Sequence, residues 1–454
     1  MALGDHMHTD ITEGAAQPFA RRGACPTLSR PMPTGDGLLA RLRPRSGILD
    51  IDQFESLARA AARYGNGLLE ITARGSLQIR GLRQETVDPL ATAIDAAGIV
   101  VLPSPVIELS PLHGAGFGDL ANAAAMELQL RQQLADLVRS PGLAPKLALI
   151  IDGGGRFGLA DVTADIRLLA VSSRAWQVAI AGDGRSAHTI AIGTAEEAIL
   201  AVGELLRLLL SSGGQRRCRE IPYARLRQVF PAMGSTSLAG TPGGKAAGLG
   251  MHQSAGGTVV VGLRPRFGQM SANDLIAFLA SVRALGVKEI RPAPDRCFFL
   301  TGLLSDRAPI VLQHAHQHGL SSDSQDMSAQ ISTCAGAGAC ASSFYATKTM
   351  AEAVIDICPD LLDGSLAVHL SGCAKGCAHP RPALTLAGTA GGYNLVLNGL
   401  ASDAPHAQIA GSDIKSAIER LARLIKNERQ AGESARACLG RLGKENITQA
   451  LRQE

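Results

Sequence analysis

The chain has 454 residues, long enough for two to four domains with several cores. With 46% hydrophobic and 19% charged residues it reads as a compact globular protein, without the signature of disorder. A net charge of +4 and an aromatic content of 3% argue against a nucleic-acid surface and favour a small acidic ligand held by local arginines.

Met1 to Gln17 is polar, carries Asp5, Asp10 and Glu13, and lacks the basic-then-apolar build of an export signal. No apolar run reaches membrane-spanning length, so no membrane association is expected. Nine cysteines without an export signal point to the reducing cytoplasm. From Arg21 to Pro33 the Pro-rich sequence predicts an irregular strap. Gly37 to Pro44 reads as a strand, and Phe54, Leu57, Ala58, Ala61 and Ala62 predict a helix over Asp52 to Tyr64, ended by Gly65 and Gly67. Strands follow over Leu68 to Thr72 and Leu77 to Leu82, joined at Arg74-Gly75.

The same program returns. Leu42-Arg-Pro-Arg-Ser-Gly47 reappears as Leu263-Arg-Pro-Arg-Phe-Gly268, and the helical pattern as Leu275, Ile276, Phe278, Leu279 and Val282. At the same offset Gly286 falls opposite Gly65, and Gly302-Leu303 opposite Gly81-Leu82. A strand–helix–strand–strand unit found twice indicates duplication. The following segments correspond more loosely: Lys146 to Gly154 parallels Leu366 to Cys373, and Trp176 to Gly182 echoes Tyr393 to Gly399. Where the second copy places cysteines, the first has Gly153-Gly154-Gly155.

Cys334 and Cys340 form one close pair and Cys373 and Cys377 another, with a segment long enough for a helix and a strand between them. Gly and Ala fill the gaps, as suits backbone that must approach an inorganic core with its N–H groups aimed at sulfur. These spacings favour an iron–sulfur cluster. Structural zinc, which takes pairs two to four residues apart, and ordinary buried cysteines remain open. Cys25, Cys218, Cys297, Cys358 and Cys438 are unpaired in spacing and expected in cores. His113, His369 and His379 are expected to be satisfied structural histidines. Thr241-Pro-Gly-Gly-Lys-Ala lacks the spaced glycine and terminal Ser/Thr of a phosphate loop, and no Gly-x-Gly-x-x-Gly follows a predicted strand.

Gly372-Cys373 through Cys377-Ala378-His379-Pro380, with the duplicated half-units, resembles the nitrite and sulfite reductase superfamily over roughly Arg21 to Asn427. The resemblance implies an α+β fold with an internal duplication of ferredoxin-like half-domains and of nitrite/sulfite reductase cluster-type lobes, only the second lobe carrying the cluster. It implies a tail at 1–20, a half-domain with its strap at 21–90, a lobe without cluster at 91–235, a second half-domain at 236–305, the 4Fe–4S lobe at 306–430 and a helical tail at 431–454. Cys334, Cys340, Cys373 and Cys377 would be the cluster ligands, Cys377 nearest the macrocycle.

Within that superfamily, Arg22-Gly-Ala-Cys-Pro-Thr-Leu28, Pro33-Thr-Gly-Asp-Gly-Leu-Leu39 and Thr72-Ala-Arg-Gly-Ser-Leu-Gln78 are similar to a branch of the aerobic cobalamin pathway. That likeness implies O₂-dependent hydroxylation of precorrin-3A at C20 and closure of a γ-lactone from the ring A acetate. The alternative is a sirohaem-dependent sulfite or nitrite reductase with an altered anion pocket. In the reductases the resemblance implies an arginine after the first half-unit and a Lys-x-Lys pair. Here no Arg occurs between Arg83 and Arg131, and the pair reads Lys146-Leu-Ala148. Each charge-assisted hydrogen bond to a dianion contributes roughly 1.5–3 kcal/mol, so losing two cations disfavours that chemistry. A third reading is a non-catalytic electron carrier or scaffold.

Arg41, Arg43, Arg45, Arg74, Arg80, Lys146, Arg264 and Arg266 are candidate clamps for substrate carboxylates, because the planar guanidinium fork bonds a carboxylate twice. Arg74 lies in a Thr-x-Arg-x-x-x-Gln pattern that the resemblance places against the tetrapyrrole, and Gln78 is expected to share that strand face with Arg74 and Arg80 by alternation. The oxygen chemistry leaves room for a mononuclear non-haem iron, for which no ligand set is assigned. Electrons, derived from NADH, are expected from a separate donor protein such as a reductase or ferredoxin.

Overall fold

The structure, a computed structural model, describes residues 26–452 apart from 102–104, 214, 232, 234–247 and 380. The expected tail at 1–20, Cys25 and the Thr241-Pro-Gly-Gly-Lys-Ala segment lie outside the described residues.

Each half-unit builds an antiparallel sheet backed by helices. In the first, Asp50 caps helix Ile51–Tyr64 with a reciprocal pair of bonds to Gln53, at 2.7 and 3.0 Å. Its Phe54, Leu57, Ala58 and Ala61 are buried. In the second, Ser271 caps Ala272–Val282, which buries Leu275, Phe278, Leu279 and Val282. These faces share one core, the Phe54 ring lying 5.9 Å from that of Phe298.

The sheets exchange an edge. The first runs Met32–Thr34, Gly37–Leu42, Leu77–Leu82, Leu68–Ile71 and then Gln269–Ser271 from the second half-unit. The second runs Gly250–Gln253, Val259–Pro265, Cys297–Leu303, Glu289–Ala293 and then Leu49–Asp50 from the first. Each exchanged strand follows a turn with two left-handed residues, Ser46 (φ 58°) and Gly47 (φ 68°) in one copy, Phe267 (φ 54°) and Gly268 (φ 74°) in the other. The repeated motif thus encodes the turn that sends the chain across to its twin. The match of Gly65 to Gly286 is less faithful: Gly286 is left-handed at φ 92°, whereas Gly65 has φ −109° and Gly67 takes the left-handed turn at φ 77°.

The intervening lobes repeat as well. Val106–Leu109, Ala148–Asp152 and Ala164–Ala170 pair in parallel, then Trp176–Gly182 and His188–Gly193 add antiparallel. Ile331–Thr333, Val368–Ser371, Ala383–Thr389, Gly392–Gly399 and Ala407–Ala410 follow the same order and sense. Among the described residues no helix is long and apolar enough to cross a membrane.

Candidate functional site

Cys334 directly follows strand Ile331–Thr333, and Cys373 follows Val368–Ser371, its parallel neighbour. Cys340 and Cys377 lie further along the same two loops. All four therefore sit at the carboxyl ends of adjacent parallel strands, where open sheets hold ligands. The segment between the pairs contains helix Thr347–Ile357.

Backbone bonds stitch the loops together. The Cys334 N–H donates to Leu370 O at 3.3 Å, the Gly372 N–H to Cys334 Sγ at 3.1 Å, and the Phe344 N–H to Gly372 O at 2.8 Å. Gly336 (φ 82°) needs its missing side chain, since a Cβ there would lie 2.9 Å from Thr347 N. Burial pushes the Cys373 thiol up, with Cys334, opposed by Lys375, and Cys340 close enough to add to the effect. Cys377 is the exposed member. In the first lobe the matching loop is filled by its own chain. A Cβ on Gly153 would lie 2.5 Å from Ala121 O, one on Gly154 3.0 Å from Leu120, and one on Gly155 in collision with Asp119. There the buried Asp152 carboxylate gathers the Gly154 and Leu159 N–H groups at 3.0 and 2.6 Å.

The first sheet carries a row of polar side chains on the face opposite its core. Arg41, Gln78, Glu70 and Gln269 stand in register across four strands. The row is bonded from Arg41 Nε to Gln78 Oε1 at 2.9 Å, from Gln78 Nε2 to Glu70 at 2.9 Å, and from Gln269 Nε2 to Glu70 at 2.9 Å. Arg80, with a side chain only 3% exposed, pairs with Asp36 at 2.9 Å and Glu70 at 3.5 Å and donates to Ala339 O, next to Cys340. Its guanidinium ties strap, sheet and cysteine loop together. Gly35 of the same strap turn abuts that loop, where a Cβ would lie 2.9 Å from Ala341 N.

Arg43 and Arg74 meet at Glu108, which is 3% exposed on the first lobe's edge strand. Arg74 Nε donates to Glu108 Oε1 at 2.9 Å and its Nη1 to Thr163 O at 2.6 Å. Arg43 lies 3.9 Å from Glu108 Oε2 and donates to Arg74 O. The expected clamps do not all converge. Arg264 donates to Ala329 O at 2.9 Å, Arg266 forks onto Glu352 with Nε at 2.8 Å, Arg45 is exposed, and Lys146 is half-buried ahead of strand Ala148–Asp152.

One group beside the cysteine loops escaped sequence reading. Arg296, left-handed at φ 60° in the turn between Glu289–Ala293 and Cys297–Leu303, donates to Ala378 O at 3.0 Å, between Cys377 and His379. Burial, with Arg264 nearby, holds its pKa below the usual arginine range. The Asp295 N–H bonds Ala73 O at 3.0 Å, so the hairpin tips of the two half-units touch. His369 corrects an expectation. It is fully buried, neither ring nitrogen has a hydrogen-bond partner among the described residues, and its ring lies 5.8 Å from that of His379. Burial, followed by His379 and Arg296, lowers its pKa to about 3. His113 is satisfied, Nδ1 lying 2.7 Å from Ser110 O. Cys218, Cys297, Cys358 and Cys438 are buried in cores as expected. Among the described residues no three His, Cys, Asp or Glu side chains gather around a single ion position, so no mononuclear iron site is assigned.

Duplicated half-units, paired lobes and cysteine loops at adjacent strand ends define a member of the nitrite/sulfite reductase superfamily. Residues 30–97 match the nitrite/sulfite reductase ferredoxin-like half domain. The NirA protein of Mycobacterium tuberculosis superposes with a TM-score of 0.70 at 15% identity, over 90% of this chain and 84% of that one. The ferredoxin–nitrite reductase of Synechococcus elongatus is 26% identical over 78% of this chain and 76% of its own. The precorrin-3B synthase of a Sinorhizobium species is 42% identical over 98% of this chain and 100% of its own. The chain belongs to the precorrin-3B synthase family.

Proposed function

We propose that the chain converts precorrin-3A to precorrin-3B, hydroxylating C20 with O₂ and closing the γ-lactone, with a 4Fe–4S cluster held by Cys334, Cys340, Cys373 and Cys377. The observation that carries the reading is 42% identity to a precorrin-3B synthase along its whole length. The donor set fits the cluster: four soft thiol ligands on glycine-rich loops, one sulfur accepting a backbone N–H, as iron–sulfur sites require. When bound, the cluster supplies single electrons.

This chain's own residues would do the rest. Arg296 and Lys348 lie close enough to Cys334 to feel its charge, and Arg80 bonds the carbonyl next to Cys340. The Arg41–Gln78 row and the Arg43–Arg74 pair offer guanidiniums to the substrate's acetates and propionates. The missing cations argue against the sulfite or nitrite alternative: no Arg occurs between Arg83 and Arg131, and Ala148 stands where the second lysine of the pair would. Electrons would come from a separate donor protein fed by NADH.

The test is anaerobic purification, visible and paramagnetic resonance spectra, then addition of precorrin-3A with or without ¹⁸O₂. The expected outcome is a broad cluster absorbance without sirohaem bands, and a hydroxylated lactone bearing the label only when O₂ is present. Stoichiometric sirohaem in the purified protein, or turnover without O₂, would overturn the proposal.

A further inference from the structure

The two lobes of the duplication treat one arginine differently. In the first, Arg217 follows helix Ala195–Ser211 and closes on the buried Asp165 carboxylate, Nε at 2.9 and 3.0 Å from its two oxygens and Nη2 at 2.6 Å from Oδ2. The same Oδ2 accepts the Ala148 N–H at 3.0 Å, which ties the arginine to the start of strand Ala148–Asp152. In the second lobe the helix is Ile414–Glu428, and Arg436 stands as far beyond Ile414 as Arg217 stands beyond Ala195. The acid has no counterpart there. Leu149 pairs with Ile166 in one lobe and Val368 with Leu384 in the other, so the residues just before, Asp165 and Ala383, correspond. The second lobe thus has the cation, with a methyl group where its carboxylate would be.

Ala383 and Arg436 line a cavity of about 340 Å³ between the amino ends of the sheet and the C-terminal helix Ala435–Arg452. That volume falls in the range of small-molecule sites. The helix breaks beside it at Gly443, whose φ of 73° and ψ of 161° are nearly confined to glycine. Leu397, Leu439 and Ile447 supply aliphatic walls, and Lys444 and His406 add donors beside Arg436. His406 accepts the Leu397 N–H on Nδ1 at 3.2 Å, which leaves Nε2 to donate. Among the described residues no Asp or Glu lines the cavity. The acids around it are engaged elsewhere. Glu433 bonds Arg441 at 2.9 and 2.8 Å, Asp363 bonds Arg429 at 2.6 Å and the Ala435 N–H at 2.7 Å, and Asp403 accepts the Leu400 N–H at 2.7 Å. Arg436, exposed at the rim, bonds Ser365 through its backbone N–H at 3.0 Å and its Nε at 2.6 Å. Its two terminal nitrogens have no partner among the described residues.

We propose that this cavity binds a carboxylate with an aliphatic body. The head group takes on Arg436 the place that Asp165 takes on Arg217, with Lys444 and His406 as further donors, and the chain lies against Leu397, Leu439 and Ile447. A guanidinium fork suits a carboxylate because two parallel N–H groups meet two oxygens. Walls of leucine and isoleucine, without Phe, Tyr or Trp, favour an alkyl chain over a flat ring. Ala367, also in the lining, stands just before Val368–Ser371, whose other end leads into the Cys373 loop. The ligand is therefore a strand's length away from the thiols and is not the substrate of the reaction proposed above. Bound there, it ties the C-terminal helix to the sheet, as Asp165 ties the Arg217 segment in the first lobe.

Octanoate and octan-1-ol, titrated calorimetrically into the full chain, are the probes. Octanoate is expected to bind once per chain, and the uncharged alcohol about tenfold or more weakly, since the charge-assisted bonds to the head group are gone. Arg436→Gln, a change at an exposed position, should weaken octanoate by about tenfold and leave the alcohol unaffected. Ala383→Asp supplies the first lobe's acid, which should capture Arg436 and abolish octanoate binding. Octanoate that does not bind, binds no better than the alcohol, or binds Arg436→Gln as it binds the wild type overturns the proposal. Unchanged binding to a folded Ala383→Asp does the same. If that variant does not fold, Arg436→Gln and the alcohol decide.

Discussion

Arg80→Gln removes a guanidinium that bonds Asp36, Glu70 and the Ala339 carbonyl from a position only 3% exposed. Breaking a buried ion pair from one side costs about 3–5 kcal/mol, because the orphaned charge stays buried. Here both carboxylates keep other donors. Asp36 holds Thr34 at 2.8 Å and Asn66 at 3.0 Å, and Glu70 holds Gln78 and Gln269 at 2.9 Å. The low end applies, about 3 kcal/mol, or roughly a 150-fold shift in the folded-to-unfolded ratio. The loss should fall first on the loop bearing Cys340, so the purified variant should also carry less iron and sulfide than wild type. Urea unfolding by circular dichroism measures the stability, and metal analysis of anaerobically purified protein measures the cluster. Arg283→Ala, which breaks exposed pairs with Asp52 and Glu55, is the control and should cost about 1 kcal/mol or less. If Arg80→Gln matches that control and retains full iron, Arg80 does not tether the loop.

Acid should unfold the chain in a window set partly by His369. Its pKa is depressed on folding, so its contribution is full above the unfolded value of about 6.5 and fades as pH falls toward about 3. His369→Leu should flatten stability against pH in that window, as urea midpoints at several pH values will reveal. Asp36 acts lower: burial works to raise its pKa, but hydrogen bonds from Arg80 and Thr34 hold it below its ordinary value. Its contribution is therefore present above about pH 3.9, lost below it, and missing in Asp36→Asn. Cys334→Ser should abolish the cluster absorbance, whereas Cys358→Ala, 1% exposed in a core, should cost about 1 kcal/mol in urea unfolding and leave iron content unchanged. Gly35→Ala should lower iron content through its collision with the Cys340–Ala341 backbone, measured against wild type purified alongside.

The duplication was legible because the repeated motif fixes a backbone turn, with Ser46 and Phe267 taking the same left-handed conformation. The cysteines stood out by their paired spacing, and the structure sets them on loops at the ends of neighbouring strands, which the spacing did not indicate. The strand exchange was not: Leu49–Asp50 and Gln269–Ser271 are too short to carry a period, and their partners are set by tertiary packing. Arg80 was singled out as a candidate clamp, but its bond to Ala339, far away in the chain, has no local signal. Glu108 and Arg167 read as isolated charges in apolar strands, a signal that could have marked them as buried and paired. Arg296 was hidden in a turn, where a left-handed arginine is uncommon.

The traded edge strands have a consequence for the origin of the molecule. A single-copy ancestor folding in this way would leave one sheet margin bare and one short strand unhoused, and each need is met by a second copy. Such a protein would have lived as an intertwined homodimer, and fusing the genes would have converted a concentration-dependent assembly into an internal one. Within one chain the two lobes then serve different ends, one carrying thiols at its strand ends and the other closing its loop around Asp152.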